Sequence, residues 1–195
     1  MTRVVLASGS PSRLDLLRRA GLDPEVVVSG ADESALPGES PSALTLRLAR
    51  AKATTVADTL DRGVVIGCDS LLELDGLAHG KPGSAGPAIA QWRRMAGRTA
   101  VFHTGHCVVD AASGRRVAAV CSTEVTFARP TDEEIARYVA SGEPLAVAGA
   151  FKISHKGGWF VESVSGEPGN LQGLSLPLLR RLLAGLGVGL PGLWG

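Results

Sequence analysis

Two long strand patterns, "TAVFHTGHCVVD" (99–110) and "RRVAAVCSTEVTFA" (115–128), are separated by the four residues "AASG". So short a connection leaves antiparallel pairing as the outcome, and the segment reads as one long hairpin. The hairpin interrupts a series in which helix and strand patterns otherwise intersperse. That combination argues for an α/β fold with a mixed sheet.

The rest of the chain supplies the other elements. Residues 3–7 read as a strand, followed by a junction of small residues in "SGSPSR" and a helix with Leu14, Leu16 and Leu17 on its apolar side. Ser10 is a plausible N-cap, Pro11 suits the first helical position and Gly21 marks the stop. "EVVVS" is a second strand, and "GADESALPGESP" is a loop carrying Asp32, Glu33 and Glu39. Ser40-Pro41 opens a helix predicted to run to about Leu60. "VVIGC" (64–68) is a continuous apolar run, suited to a strand buried on both faces, with Asp69-Ser70 expected just past its end. "LLELDGLAHGKP" reads as a strand, an Asp75-Gly76 turn and a return toward Lys81. A helix over about 84–96 follows. "TDEE" (131–134) is a capping-box signature for a helix to about Ala140, "GGWFVESVSG" is a further strand, and "SLPLLRRLLAGL" is the final helix.

With 195 residues, 45% of them hydrophobic, the chain can bury one substantial core or two tightly joined lobes. It reads as a single domain over 1–195. The formal net charge is +1, so no basic excess is available to track a nucleic-acid backbone. Anion binding would have to come from local placement of cations. The start is too short in apolar residues for a secretion signal, and no stretch approaches the ~20 apolar residues of a membrane span. Cys68, Cys107 and Cys121 are odd in number and widely spaced, which fits a reduced cytoplasmic protein rather than a disulfide scaffold.

Several residues carry candidate chemistry. At the opening junction, unpaired N–H groups of a helix start, small residues and Arg13 in the first turn can together hold a phosphate. A capped helix with a surface arginine explains the same stretch, which is neither a P-loop nor a GxGxxG fingerprint. Asp69 could bind a divalent cation or accept a proton from water, or could simply form a turn. Lys52 and Lys81, each taken alone, read as solvated surface charges, and removal of Arg13, Lys52 or Lys81 is expected to impair turnover without unfolding the protein. Strand alternation puts His103 and Cys107 on one face and His106 on the other, so these read as structural. Together, Arg13, Lys52 and Lys81 as cations with Glu33 and Asp69 as anions suit a metal-bound polyphosphate.

The order of the motifs "LASGSPSRLDLLRRAG", "DES", "LARAK", "VVIGCDS", "GKP", "YVASGEP", "AGAF" and "FVESVSGEPGNLQGLSLPLL" resembles the Maf family of nucleoside triphosphate pyrophosphatases over almost the whole chain. The resemblance implies an elongated mixed sheet flanked by helices, with a cleft between two lobes, related to the inosine triphosphate pyrophosphatases. It also implies a cytoplasmic enzyme dependent on Mg²⁺ or Mn²⁺ that converts a nucleoside triphosphate to the monophosphate and pyrophosphate. Members are often homodimers, and the family is linked to septum formation. By position, the resemblance assigns Ser8 and Arg13 to the phosphate site, Glu33 to metal binding, and Lys52 and Lys81 to catalysis. Asp69 takes the place of the proton acceptor and metal ligand.

The departures concern substrate choice. Ser12 replaces the Arg or Trp of two known branches, Ser70 their Thr or Gln, and Ser154 their Gln or Glu. A serine offers one short hydroxyl where those branches offer larger groups, so the expected base pocket is roomy and broad in preference. A protein of another class fits the same residues: a regulatory nucleotide-binding protein acting in cell division, with weak hydrolysis.

Overall fold

A computed structural model describes residues 2–194. Seven strands form one mixed sheet in the order β2-β1-β3-β5-β6-β7, with β4 pairing to β3 off that path. In chain order the elements are β1 (Val4–Leu6), α1 (Pro11–Arg19), β2 (Glu25–Val26), α2 (Pro41–Ala57), β3 (Val64–Leu74), β4 (Leu77–His79) and α3 (Ala85–Met95). After them come β5 (Thr99–Asp110), β6 (Arg116–Phe127), α4 (Asp132–Ala140), β7 (Val161–Ser165) and α5 (Leu176–Gly185). The predicted hairpin is β5–β6, paired from Thr99↔Thr126 to Val109↔Arg116. β1 runs parallel to both β2 and β3, and the remaining pairs are antiparallel. The mixed α/β sheet expected from the hairpin is therefore present, flanked by helices.

β3 departs from the sequence reading. It is one strand of 11 residues through Asp69 and Ser70, not an apolar strand that ends before them. Continuous pairing with β5 from Val64↔Asp110 to Glu73↔Val101 carries the strand past the polar pair. On its other edge β3 pairs with β1 at residues 64–66 and with β4 at residues 72–74. Between these two contacts the edge of β3 has no strand neighbour among the described residues. Asp69 and Ser70 lie in that gap.

The gap separates two packed halves. On one side α1 and α5 cover a core that includes Leu6, Leu17, Ile66, Leu179 and Leu183. The opposite face of the same half seats α2 through Ala49, Ala53 and Val56 against Val5, Val65 and Cys107. On the other side of the gap, Trp92, Phe102, Phe127, Tyr138 and Phe151 form the core under α3 and α4. The cleft between the lobes is thus a consequence of one long strand with two short, separated neighbours.

α2 lies unusually close to the sheet. A Cβ at Gly67 would collide with the carbonyl of Ala49 and the side chain of Ala53, and one at Gly105 with the carbonyl of Thr45. Only glycine permits this approach.

Local differences from the sequence reading follow from packing. β2 is two residues rather than five. α2 stops at Ala57, three residues early, with Ser40 capping it through Ala43 N. The predicted strand over 157–166 begins as a 3₁₀ turn (Lys156–Phe160) and becomes β7 only from Val161. The Thr131–Glu134 capping box forms as predicted, and His106 and Cys107 face opposite sides, toward α5 and α2.

Candidate active site

The cleft has a volume of about 590 Å³ and takes lining from both lobes. Its ionisable lining is Arg13, Lys52, Lys81 and Lys152 against Glu33 and Asp69. Four cations against two carboxylates leave a net +2 inside a chain of net +1. The local cation placement that anion binding would require is therefore present.

The floor is built from β3 and the β1–α1 junction. Asp69 projects from the unpaired gap of β3 toward α2, where Lys52 meets it: Lys52 Nζ donates to Asp69 Oδ1 at 2.6 Å. The same ammonium lies 2.6 Å from Glu33 Oε1. Lys52 thus bridges two carboxylates, one almost enclosed and one largely exposed. Asp69 Oδ2 has no hydrogen-bond partner among the described residues and remains available to the cleft. The surface-charge reading of Lys52 does not hold, because the side chain is buried in an ion pair.

Arg13 is also buried, contrary to a surface arginine. It replaces the missing strand neighbour of β3. Ala7 N donates to Ile66 O at 2.8 Å, and two residues on, Arg13 Nη1 donates to Cys68 O at 2.9 Å. Nη1 also donates to Ser8 Oγ at 2.8 Å, Nη2 to Ser70 Oγ at 2.8 Å and Nε to Gly173 O at 2.7 Å. Four of its five N–H groups are thereby used, leaving one on Nη2. Gly173 has φ +91°, and a Cβ there would stand 3.3 Å from Arg13 Nε. Ser10 occupies the N-cap position of α1 but its side chain caps nothing; Ser8 Oγ accepts from Ser10 N instead. The small residues at this junction therefore serve the arginine as much as the helix.

The remaining predicted residues distribute as follows. Lys81 is exposed, faces the cleft from the opposite lobe and makes no ion pair among the described residues. Its loop is fixed by Gly83 N to Leu145 O and Gly149 N to Gly80 O. Ser12, Ser70 and Ser154 all line the cleft. Ser154 Oγ is 2.9 Å from His155 Nδ1. The sequence reading passed over Thr104 and Lys152. Thr104 carries no motif of its own and was read only as part of a strand.

Buried neighbours of the floor are neutral. Burial pushes the Cys68 thiol up to about 12, so it is no nucleophile. Burial pulls His106 down to about 4, and its ring spans Thr104 O and Ser175 N as a neutral imidazole.

Comparisons with known proteins give the family and the fold. The family described as Maf-like protein matches residues 3–186. A Streptomyces coelicolor protein called nucleoside triphosphate pyrophosphatase is 57% identical over 194 residues, covering 98% of this chain and 94% of its own. A relative of the same name from Thermosynechococcus vestitus is 51% identical over 188 residues, covering 96% and 95%. Among solved structures, the Staphylococcus aureus Ham1 protein superposes with a TM-score of 0.52 at 17% identity, covering 94% of this chain and 99% of that one. That likeness concerns the fold alone.

Proposed function

The chain belongs to the Maf family, and from that membership and the floor of the cleft we propose that it is a nucleoside triphosphate pyrophosphatase. The reaction is water attack at the α-phosphorus, releasing pyrophosphate and leaving the nucleoside monophosphate. The observation that carries this reading is the Lys52 bridge between Glu33 and Asp69 on the cleft floor, faced by Lys81 from the other lobe.

The roles follow from charge. Attack on phosphorus builds negative charge on phosphoryl oxygens and on the leaving pyrophosphate. Fixed cations in a partly enclosed site offset it without reorganising. Lys52 is the fixed one. Lys81, unpaired and exposed, is free to meet the leaving group. Arg13 keeps Ser8 and Ser70 in place and has one N–H left for substrate. Asp69 holds Lys52 with Oδ1 and receives or orients the water with Oδ2.

A divalent cation, Mg²⁺ or Mn²⁺, fits this donor set. No cluster of three protein ligands exists among the described residues. Mg²⁺ commonly uses one or two carboxylates together with waters and substrate phosphates. Glu33 retains one oxygen for that purpose, and Asp69 Oδ2 would serve the ion, the water or both. Bound there with the triphosphate, the ion would supply charge neutralisation on the phosphoryl oxygens. Ser12, Ser70 and Ser154 present short side chains to the cleft, consistent with broad base preference. A cytoplasmic setting and a homodimer complete the proposal; no helix among the described residues is long and apolar enough to cross a membrane.

The test is a pyrophosphate-release screen over canonical and modified nucleoside triphosphates, with Mg²⁺ or Mn²⁺. Release of one pyrophosphate per monophosphate is expected. Binding without release from any of them would favour the regulatory nucleotide-binding protein instead.

A further inference from the structure

Ser70 on β3 and Thr104 on β5 are paired across the sheet, and their hydroxyl oxygens are 2.9 Å apart. Ser70 Oγ also accepts from Arg13 Nη2 at 2.8 Å. The direction of the proton between the two hydroxyls follows from what each can still do. Thr104 is wholly buried, and its hydroxyl has no other partner among the described residues. A buried O–H left unpaired is costly, so its proton goes to Ser70 Oγ. Ser70 Oγ then accepts twice, from Arg13 and from Thr104, and both lone pairs are filled. Its own proton is all that it has left to offer. Ser70 is half-buried and lines the cleft.

We propose that Thr104 is a positioning residue that locks Ser70 as a hydrogen-bond donor toward an oxygen of the bound nucleotide. The inference rests on the nucleotide-binding part of the reading above. Thr104 is itself held. Its carbonyl accepts from His106 Nδ1 at 3.0 Å, and His106 Nε2 accepts from Ser175 N at 2.9 Å at the start of α5. Two residues back, Gly173 O accepts from Arg13 Nε. The hydrogen bonds close into a ring through Arg13, Ser70, Thr104, His106, Ser175 and Gly173. A donor fixed in this way is oriented before anything binds, which is the condition under which a single hydrogen bond contributes most. The acceptor lies either on the ribose–triphosphate part that all nucleotides share, as a phosphoryl or ribose oxygen, or on the base, as a carbonyl.

The experiment measures binding by calorimetry, with α,β-methylene analogues of UTP and ATP as non-hydrolysable probes. The proteins are wild type, Thr104→Val, Thr104→Ser, Ser70→Ala and the Ser70→Ala/Thr104→Val double variant. Thr104→Val keeps the shape and removes the hydroxyl; it should raise Kd about 10-fold. Thr104→Ser restores the hydroxyl and should bind within about 3-fold of wild type. In the Ser70→Ala background, Thr104→Val should add less than about 2-fold, because its effect passes through Ser70. Equal loss for both analogues places the acceptor on the ribose–triphosphate part that the two share. Loss confined to the UTP analogue identifies a base carbonyl, since adenine presents an amino group there. Wild-type affinity in Thr104→Val, failure of Thr104→Ser to restore binding, or additive losses in the double variant would each overturn the proposal. Hydrolysis is scored separately. A wild-type protein that binds both analogues but releases no pyrophosphate loses the pyrophosphatase reading and leaves the Thr104 test standing. A wild-type protein that binds neither overturns both.

Discussion

Lys52 Nζ lies 2.6 Å from Asp69 Oδ1 and 2.6 Å from Glu33 Oε1, so one ammonium from α2 fixes two carboxylates from separate parts of the chain. The Asp69 side chain is therefore oriented before substrate arrives, with one oxygen spent and one free. Asp69→Asn keeps the shape but removes the charge and the proton-accepting capacity. It should lower kcat by roughly 10²–10⁴-fold with nucleotide affinity largely retained. Steady-state pyrophosphate release together with equilibrium binding checks this. Undiminished kcat would remove Asp69 from the chemistry, and lost affinity with normal kcat would make it an anchor.

The same ion pair predicts a stability effect that differs between Lys52 and Lys81. Lys52→Met strands the nearly enclosed Asp69 carboxylate and should destabilise the protein by about 3–5 kcal/mol. Adding Asp69→Asn to that variant should recover much of the loss, because the uncompensated charge is gone. Lys81→Ala, at an exposed and unpaired position, should change stability by less than about 0.5 kcal/mol while still slowing turnover. Urea denaturation of the four proteins decides it, and equal destabilisation by Lys52→Met and Lys81→Ala would contradict the burial argument.

The contrast between Lys52 and Lys81 also marks what the sequence can convey. Periodicity and turn chemistry are local, so the β5–β6 hairpin, the Thr131 capping box and the Ser40 cap were legible. The ordered motifs brought Ser8, Arg13, Lys52 and Asp69 to notice, and the fold gathers all four at one cleft. What was not legible is how far each side chain is committed. Arg13 reads as a surface arginine until Gly173, 160 residues away, takes its Nε–H. Asp69 reads as the end of a strand because its neighbours turn polar; β5 then pairs through it and keeps the strand going. Thr104 carries no signal at all, because its significance comes only from standing opposite Ser70.

Base selectivity should be weak. Ser154 is exposed and lines the cleft with its hydroxyl beside His155 Nδ1, and the same stretch of chain lines it with Ala146, Val147, Ala148, Phe151, Lys152 and Ile153, among which Lys152 is the one charged group. Strong discrimination needs buried polar groups that go unpaired with the wrong base. Comparison of kcat/KM for ATP, GTP, CTP, UTP, dTTP and 7-methyl-GTP should show a spread below about 10³-fold. A larger preference for one base would mean that Lys152 or His155 supplies the selectivity the serines lack.

His106 should make stability depend on pH between its free and its buried value. In the fold, burial holds the imidazole pKa at about 4, against 6.5 when free. Nδ1 donates to Thr104 O and Nε2 accepts from Ser175 N, so a second ring proton would face an N–H. Between these two values the unfolded chain binds a proton that the folded chain does not. Stability is therefore whole above pH 6.5 and falls as the pH drops toward 4, at about 1.4 kcal/mol per unit and by about 3 kcal/mol in all. His106→Gln can donate and accept along similar directions but does not titrate, so its stability should lose that slope even if it is lower at neutral pH. His79, whose pKa burial also lowers, contributes equally to both proteins and cancels. Urea denaturation of wild type and His106→Gln at pH 7 and pH 5 makes the comparison, and parallel losses in the two proteins would show that His106 is not the group responsible.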